Sequence, residues 1–273
     1  MLSSCSSKMA IPEILEGNKS STLNGTGYVF FTPSPISYEF LNSECVPRKS
    51  VLEIGAGFGD LPIQALKNGV QEYYANDISN EHLQILLDKV RTKVPDKITQ
   101  LKIISGKAPE ILKIIDKKFD AIIADKVIHF LTPEEIGEFL KLAELLLKEN
   151  GKLYITAASP YSQRYKDILN EYLARKNQGD SFPGYFIDIM QRLNQTETID
   201  RNYQNFKVPD SMVLFARDDL TNLLENFGMK VTQSYSLKIP TAENPNWALC
   251  ADDESNVVGV IAAHNNGSTT EVP

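Results

Sequence analysis

The stretch Ser50-Val51-Leu52-Glu53-Ile54-Gly55-Ala56-Gly57-Phe58-Gly59-Asp60 decides the fold of this chain. It opens as a short apolar strand and runs directly into three glycines at alternate positions, with Glu53 two places before the first. Glycine carries no Cβ, so a backbone built this way turns sharply and comes close to a bound ligand. A strand that ends in such a turn predicts a ligand site at its carboxyl end.

The elements on either side fix the context. Val51–Ile54 reads as the first strand, and residues 61–68 as a helix stopped by Gly69. Residues 71–76 form a second strand followed by Asp77, and Ser79-Asn80-Glu81 opens a helix to about Thr92. Strands follow over 101–104 and 119–124, with a short helix over 109–115 between them. Thr132-Pro133-Glu134-Glu135 has the composition of a capping box with proline at the first helical position. Its helix carries the apolar stripe Ile136, Phe139, Leu140, Ala143, Leu146 and Leu147 as far as Asn150-Gly151, before a fifth strand over 152–157. Strand alternating with helix at this spacing predicts an α/β fold with a parallel sheet covered on both faces, doubly wound because such crossovers are right-handed. Ligands bind such sheets at the carboxyl ends of the strands, where the strand order reverses.

The remaining segments differ in composition. Residues 1–49 form a lead-in, rich in Ser, Asn and Gly up to 27 and expected to be poorly ordered at its start, with a short helix around 36–43. Residues 160–210 concentrate aromatic side chains among polar ones, Tyr203 and Phe206 included, and read as a cap inserted into the core of 50–159 and 211–264. Within the latter, a helix over 218–226 stops at Gly228 and two strands follow, over 229–237 and 257–263. Residues 265–273 are a polar tail.

Composition excludes several classes of function. The 273 residues are 42% hydrophobic with a net charge of −7, enough for a large core and a poor match for a phosphate backbone, so no nucleic-acid partner is expected. Cys5, Cys45 and Cys250 are scattered and odd in number, which suggests neither a disulfide framework nor a metal centre. No run of about 18 apolar residues is present, so no membrane span is expected. The chain reads as soluble and cytoplasmic; export without a classical signal peptide would leave no mark on these features. Oligomeric state has no signature here.

Dinucleotide-binding loops follow a related rule, G-x-G-x-x-G, but their third glycine falls where this chain has Asp60. The spacing E-x-G-x-G-x-G resembles instead the first motif of class I S-adenosylmethionine-dependent methyltransferases. The resemblance covers the core segments and implies a Rossmann-like methyltransferase fold: a mostly parallel seven-stranded sheet whose last strand inserts antiparallel between the fifth and sixth, plus a helical cap. It implies S-adenosyl-L-methionine as cofactor and S-adenosyl-L-homocysteine as product. The acceptor would be a small molecule methylated at O, N or S. Alternatives are a protein side chain as acceptor, a protein that binds the cofactor without turnover, or a nicotinamide-dependent oxidoreductase.

Carried onto this sequence, the resemblance places Gly55, Ala56 and Gly57 under the cofactor's amino acid portion and Glu53 at its amino group. Asp77 would accept hydrogen bonds from the ribose hydroxyls and Ile78 would flank the adenine. After the third strand the family often has Gly-Asp-Ala where this chain has Gly106-Lys107-Ala108. Lys107 cannot accept a hydrogen bond, so adenine recognition would fall to the Ala108 backbone. Asp125, in a segment that resembles the family's after strand four, would lie near the cofactor and the acceptor, or simply end its strand. Tyr28 would reach the cofactor through its hydroxyl or merely pack. His129 is open to three readings: a general base with an ordinary pKa near 6.5, a helix cap, or a ring packed under Phe130. No metal ligand set is read.

Overall fold

In the computed structural model, residues 11–194 and 211–264 are described. The chain begins with a three-stranded antiparallel meander, β1 (Ile14–Leu15), β2 (Lys19–Ser21) and β3 (Tyr28–Phe30). Helix α1 (Pro35–Ser43) is capped by the Ser34 hydroxyl, which accepts from the Ser37 N–H. An alternating run follows: β4 (Ser50–Ile54), α2 (Asp60–Asn68), β5 (Glu72–Asp77), α3 (Asn80–Lys93), β6 (Leu101–Ser105), β7 (Phe119–Asp125), α4 (Pro133–Leu146) and β8 (Leu147–Ala158). After it come α5 (Leu169–Asn177), β9 (Tyr185–Ile187), α6 (Ile189–Asn194), β10 (Ser211–Val213), α7 (Arg217–Asn226), β11 (Lys230–Lys238), β12 (Ala248–Leu249) and β13 (Val257–Ala263).

The main sheet runs in the order β12-β11-β13-β8-β7-β4-β5-β6. Pairings from β8 through β6 are parallel, and β13 lies antiparallel between β8 and β11. The expected inserted last strand is therefore present, and the sheet has eight strands where seven were expected. The extra one, β12, is two residues long, too short to carry an alternation that periodicity can detect.

All five residues of β4 are buried, as a strand covered on both faces requires. Alternate residues point to opposite layers. Val51 packs with α1, α2 and α3 through Ile36, Phe40, Ile63, Leu66 and Leu86. Leu52 and Ile54 pack with α4 and α7 through Ile136, Phe139, Leu220 and Leu224. Gly259 on β13 admits α1 closely: a Cβ there would stand 2.6 Å from Ile36 Cγ1.

Three local expectations change. The helix after Thr132 has its full capping box, but it ends at Leu146, because Leu147 turns extended, pairs with Phe119 and is buried in the sheet. The short helix expected over 109–115 takes the tighter 3₁₀ form, over Glu110–Ile114. The Gly- and Asn-containing segment up to 27 uses those residues as turns, with Gly17 at φ 76° and Asn18 at φ 52° between β1 and β2. The expectations for the first ten residues, for Tyr203 and Phe206, and for the tail from 265 lie outside the described residues. After β8, Tyr165, Ile168, Tyr172, Phe186, Met212 and Leu214 form a separate apolar cluster, against which Phe130 packs. Among the described residues no helix is long and apolar enough to cross a membrane.

Candidate functional site

The carboxyl ends of β7, β4, β5 and β6 lie side by side and deliver Asp125, the glycine loop, Asp77 and Gly106 in that order. The loop takes the left-handed backbone that glycine tolerates: φ is 76° at Gly55 and 54° at Gly57. Both sites are also tight. A Cβ on Gly55 would fall 2.4 Å from Val127 Cγ2, and one on Gly57 would fall 3.0 Å from Val29 Cγ2. Val29 belongs to β3, so the meander lies across the loop.

Asp77 anchors this turn. One carboxylate oxygen accepts the Gly57 N–H at 2.8 Å; the other accepts the Ser79 N–H at 2.8 Å and lies 3.1 Å from His82 Nδ1. His82 Nε2 accepts the Leu23 N–H at 3.0 Å, which puts the ring proton on Nδ1, facing Asp77. The same histidine ties the meander to the end of β5. Beside Asp77, Ile78 is 58% exposed, an apolar surface open to a flat ring.

Glu53 is buried on the same face of β4 as Val51, and its carboxyl accepts the Tyr73 hydroxyl at 2.8 Å. Burial pushes its pKa up to about 8; Asp125 and Asp77 add to this, while Tyr73 opposes it.

At the end of β7, Asp125 accepts the Thr156 hydroxyl, the Ser37 hydroxyl at 3.0 Å and the Lys126 ammonium at 2.5 Å. Burial works against its ionisation, but these partners, Lys126 above all, outweigh it and hold the pKa below the ordinary range. Three carboxyl groups thus meet at this end of the sheet. Among the described residues none belongs to a set of three or more His, Cys, Asp or Glu side chains suited to a metal ion.

The structure separates the remaining candidates. Ala108 is buried behind β6, next to the Gly106 carbonyl that Asn76 holds with a 2.9 Å hydrogen bond. Lys107 turns its ammonium to Glu135 on α4, an ion pair that occupies it away from the loop. His129 is buried and its ring lies 4.1 Å from that of Phe130. Its Nδ1 faces the Ala158 N–H at 3.4 Å, and burial, reinforced by the nearby Lys126 charge, lowers its pKa to about 3. A ring so hard to protonate is a weak base, so the geometry favours the packed reading of His129 over the general base. Tyr28 lies on β3, its ring 4.6 Å from the Lys19 ammonium. Sequence reasoning passed over Lys126, Ser37, Thr156 and His82. Lys126 and His82 had no pattern to mark them, and Ser37 and Thr156 matter only through tertiary contacts.

Residues 52–153 match the family model described as a methyltransferase domain. A histone-arginine methyltransferase, CARMER, from Drosophila persimilis is 33% identical over 121 residues, which are 44% of this chain and 22% of that protein. The chain thus spans about a fifth of the length of the curated relatives it matches. Among solved structures, a methyltransferase from Methanosarcina mazei shares the fold with a TM-score of 0.56 and 15% identity, over 85% of this chain and 98% of that one. The glycopeptide N-methyltransferase MtfA, complexed with S-adenosyl-L-methionine, gives 0.53 at 16% identity over 83% and 84% of the two chains. Magnesium protoporphyrin IX methyltransferase from Synechocystis gives 0.52 at 13% identity over 84% and 80%. Residues 52–153 thus match a methyltransferase domain, and the sheet built around them has the fold of these S-adenosylmethionine-dependent methyltransferases of known structure.

Proposed function

We propose that this chain transfers the methyl group of S-adenosyl-L-methionine to an O, N or S atom of a small-molecule acceptor by in-line displacement. The observation that carries the reading is the bond from the Gly57 N–H to Asp77, which locks the glycine turn beside a carboxylate at the end of β5. In this reading Gly55, Ala56 and Gly57 seat the amino acid portion, and Glu53 loses its proton to pair with the amino group. Asp77 takes the ribose hydroxyls, Ile78 flanks the adenine, and the Ala108 backbone serves the adenine edge in place of Lys107. Asp125 orients groups on the acceptor side, with Tyr28 on the meander above.

When bound, the cofactor supplies a methyl carbon already made electrophilic by the attached sulfonium. The chain's work is then to align the acceptor and exclude water, a contribution on the order of 7–11 kcal/mol when reacting groups are well oriented. The meander across the loop and the aromatic cluster after β8 supply cover for such a site. With His129 a weak base, an acceptor that must lose a proton loses it to solvent or by its own ionisation.

A protein side chain is the second reading, favoured by the similarity to a histone-arginine methyltransferase over 121 residues. Transfer of labelled methyl from S-adenosyl-L-methionine, with a metabolite library in one arm and a histone and peptide mixture in the other, separates the two. Label in metabolites alone supports the small-molecule acceptor, and label in peptides alone replaces it. Cofactor binding without transfer in either arm would favour a binding protein.

A further inference from the structure

The residue after β7 has an uncommon backbone. Lys126 lies at φ 59°, a left-handed conformation that side chains of its kind seldom adopt. Its N–H is fixed there by the Thr156 hydroxyl at 2.9 Å and the Thr156 carbonyl at 3.2 Å. The turn sends the ammonium inward, where the side chain keeps 17% of its exposure. The charge sits 2.5 Å from Asp125 and 5.4 Å from the ring centres of both Phe30 and Trp247. The two rings are 5.3 Å apart and tilted by 54°.

Each wall of this box is held by something other than Lys126. The Trp247 indole N–H donates to the Thr32 carbonyl at 2.9 Å, and Phe30 is fixed by the pairing of β3 with Lys19. Asp125 is held by Ser37 and Thr156. Two aromatic faces and a carboxylate around a single cationic nitrogen make a receptor for charged nitrogen in general, because ring quadrupole and anion both favour positive charge. The location is specific as well. β7 borders β4 on the side away from β5, so the box lies across the glycine loop from Asp77.

We propose that this box receives a positively charged amine on the acceptor, and that the Lys126 ammonium is a resident stand-in that the acceptor displaces. The inference rests on the methyl-transfer reading and narrows its acceptor to a molecule carrying a cationic nitrogen. The held nitrogen is not the atom methylated, since a protonated amine has no lone pair with which to attack carbon. Lys126 therefore acts as a selectivity residue that keeps neutral molecules out of the box.

The test uses the full chain and Lys126→Gly, which empties the box while suiting its left-handed backbone. Lys126→Asn serves as a second variant, and circular dichroism checks the fold of each. Trp247 is the only tryptophan of the 273 residues, so its fluorescence reports on the box. Titrated with tetramethylammonium chloride, Lys126→Gly should show a saturable change with a Kd about tenfold or more below that of the wild type. Sodium chloride at equal ionic strength should do nothing, and adding Phe30→Ala should abolish the response. Equal responses in wild type and variant, or a response that survives Phe30→Ala, would overturn the inference. Titration of S-adenosyl-L-methionine into the wild type runs alongside. If the cofactor binds and the ammonium does not, the box assignment fails while the methyl-transfer reading stands; if the cofactor does not bind, that reading fails. A fluorescence change with the sulfonium but not with tetramethylammonium assigns the box to the cofactor and sinks the acceptor assignment.

Discussion

Glu53→Gln should make this protein more stable as the pH rises toward neutrality. The wild-type carboxyl is buried, with Asp125 and Asp77 nearby, and its pKa stands near 8 against an ordinary 4.5. Between these values the folded chain keeps a proton that the unfolded chain releases, so stability falls with rising pH. The sign is opposite to that of a salt-bridged carboxylate. Each pH unit in the window costs up to about 1.4 kcal/mol, so between pH 5 and pH 7 the wild type loses roughly 2–3 kcal/mol through this group. Glutamine can still accept the Tyr73 hydroxyl and does not titrate, so the variant escapes that loss. Urea unfolding of both proteins at pH 5 and pH 7 isolates the effect, because all other titrating groups cancel in the difference. The advantage of Glu53→Gln should grow by about that amount at pH 7, or by several degrees in Tm at about 2–4 °C per kcal/mol for a chain of this size. Parallel pH dependences would show that Glu53 is ionised in the free protein and would refute the account of its environment.

Asp77→Ala removes the acceptor for the Gly57 and Ser79 N–H groups and should weaken S-adenosyl-L-methionine binding more than tenfold by isothermal titration, at about 1.5–3 kcal/mol for a charge-assisted bond. Gly59→Ala would place a Cβ 2.4 Å from Leu86 Cγ and 3.1 Å from its Cα at a φ of +80°, and should cost on the order of 1–3 kcal/mol in urea unfolding. His129→Gln should leave the shape of the pH–rate profile between pH 5 and 8 unchanged, because the wild-type ring already titrates near 3. A vanished limb near pH 6.5 would restore His129 as the base.

Where a local rule had enough residues to act on, the sequence predicted the structure. Thr132 and Glu135 cap α4 reciprocally, the apolar stripe of that helix packs inward, and the strands around Glu53 and Asp77 end where a ligand loop needs them. The inserted β13 came from resemblance, since periodicity does not distinguish parallel from antiparallel. What stayed hidden depends on contacts between distant parts of the chain. Trp247 and Thr32 are 215 residues apart, Ser37 and Asp125 are 88 apart, and Leu23 meets His82 across 59. The turn glycines of the meander read as weak structure because composition alone does not separate a tight hairpin from a loose end. Lys107 interrupted an expected acidic position, and its ion pair with Glu135 shows where its charge is used instead.

The bare backbone at Gly259 reaches further than its place on a strand suggests. It lets Ile36 settle against β13, and the neighbouring Ser37 thereby holds Asp125. A single methyl at 259 would act as a wedge under α1, tilting that hydroxyl out of reach. A variant there would mimic a lesion at Asp125 while leaving that side chain untouched, and α1 would be the lever that carries the disturbance.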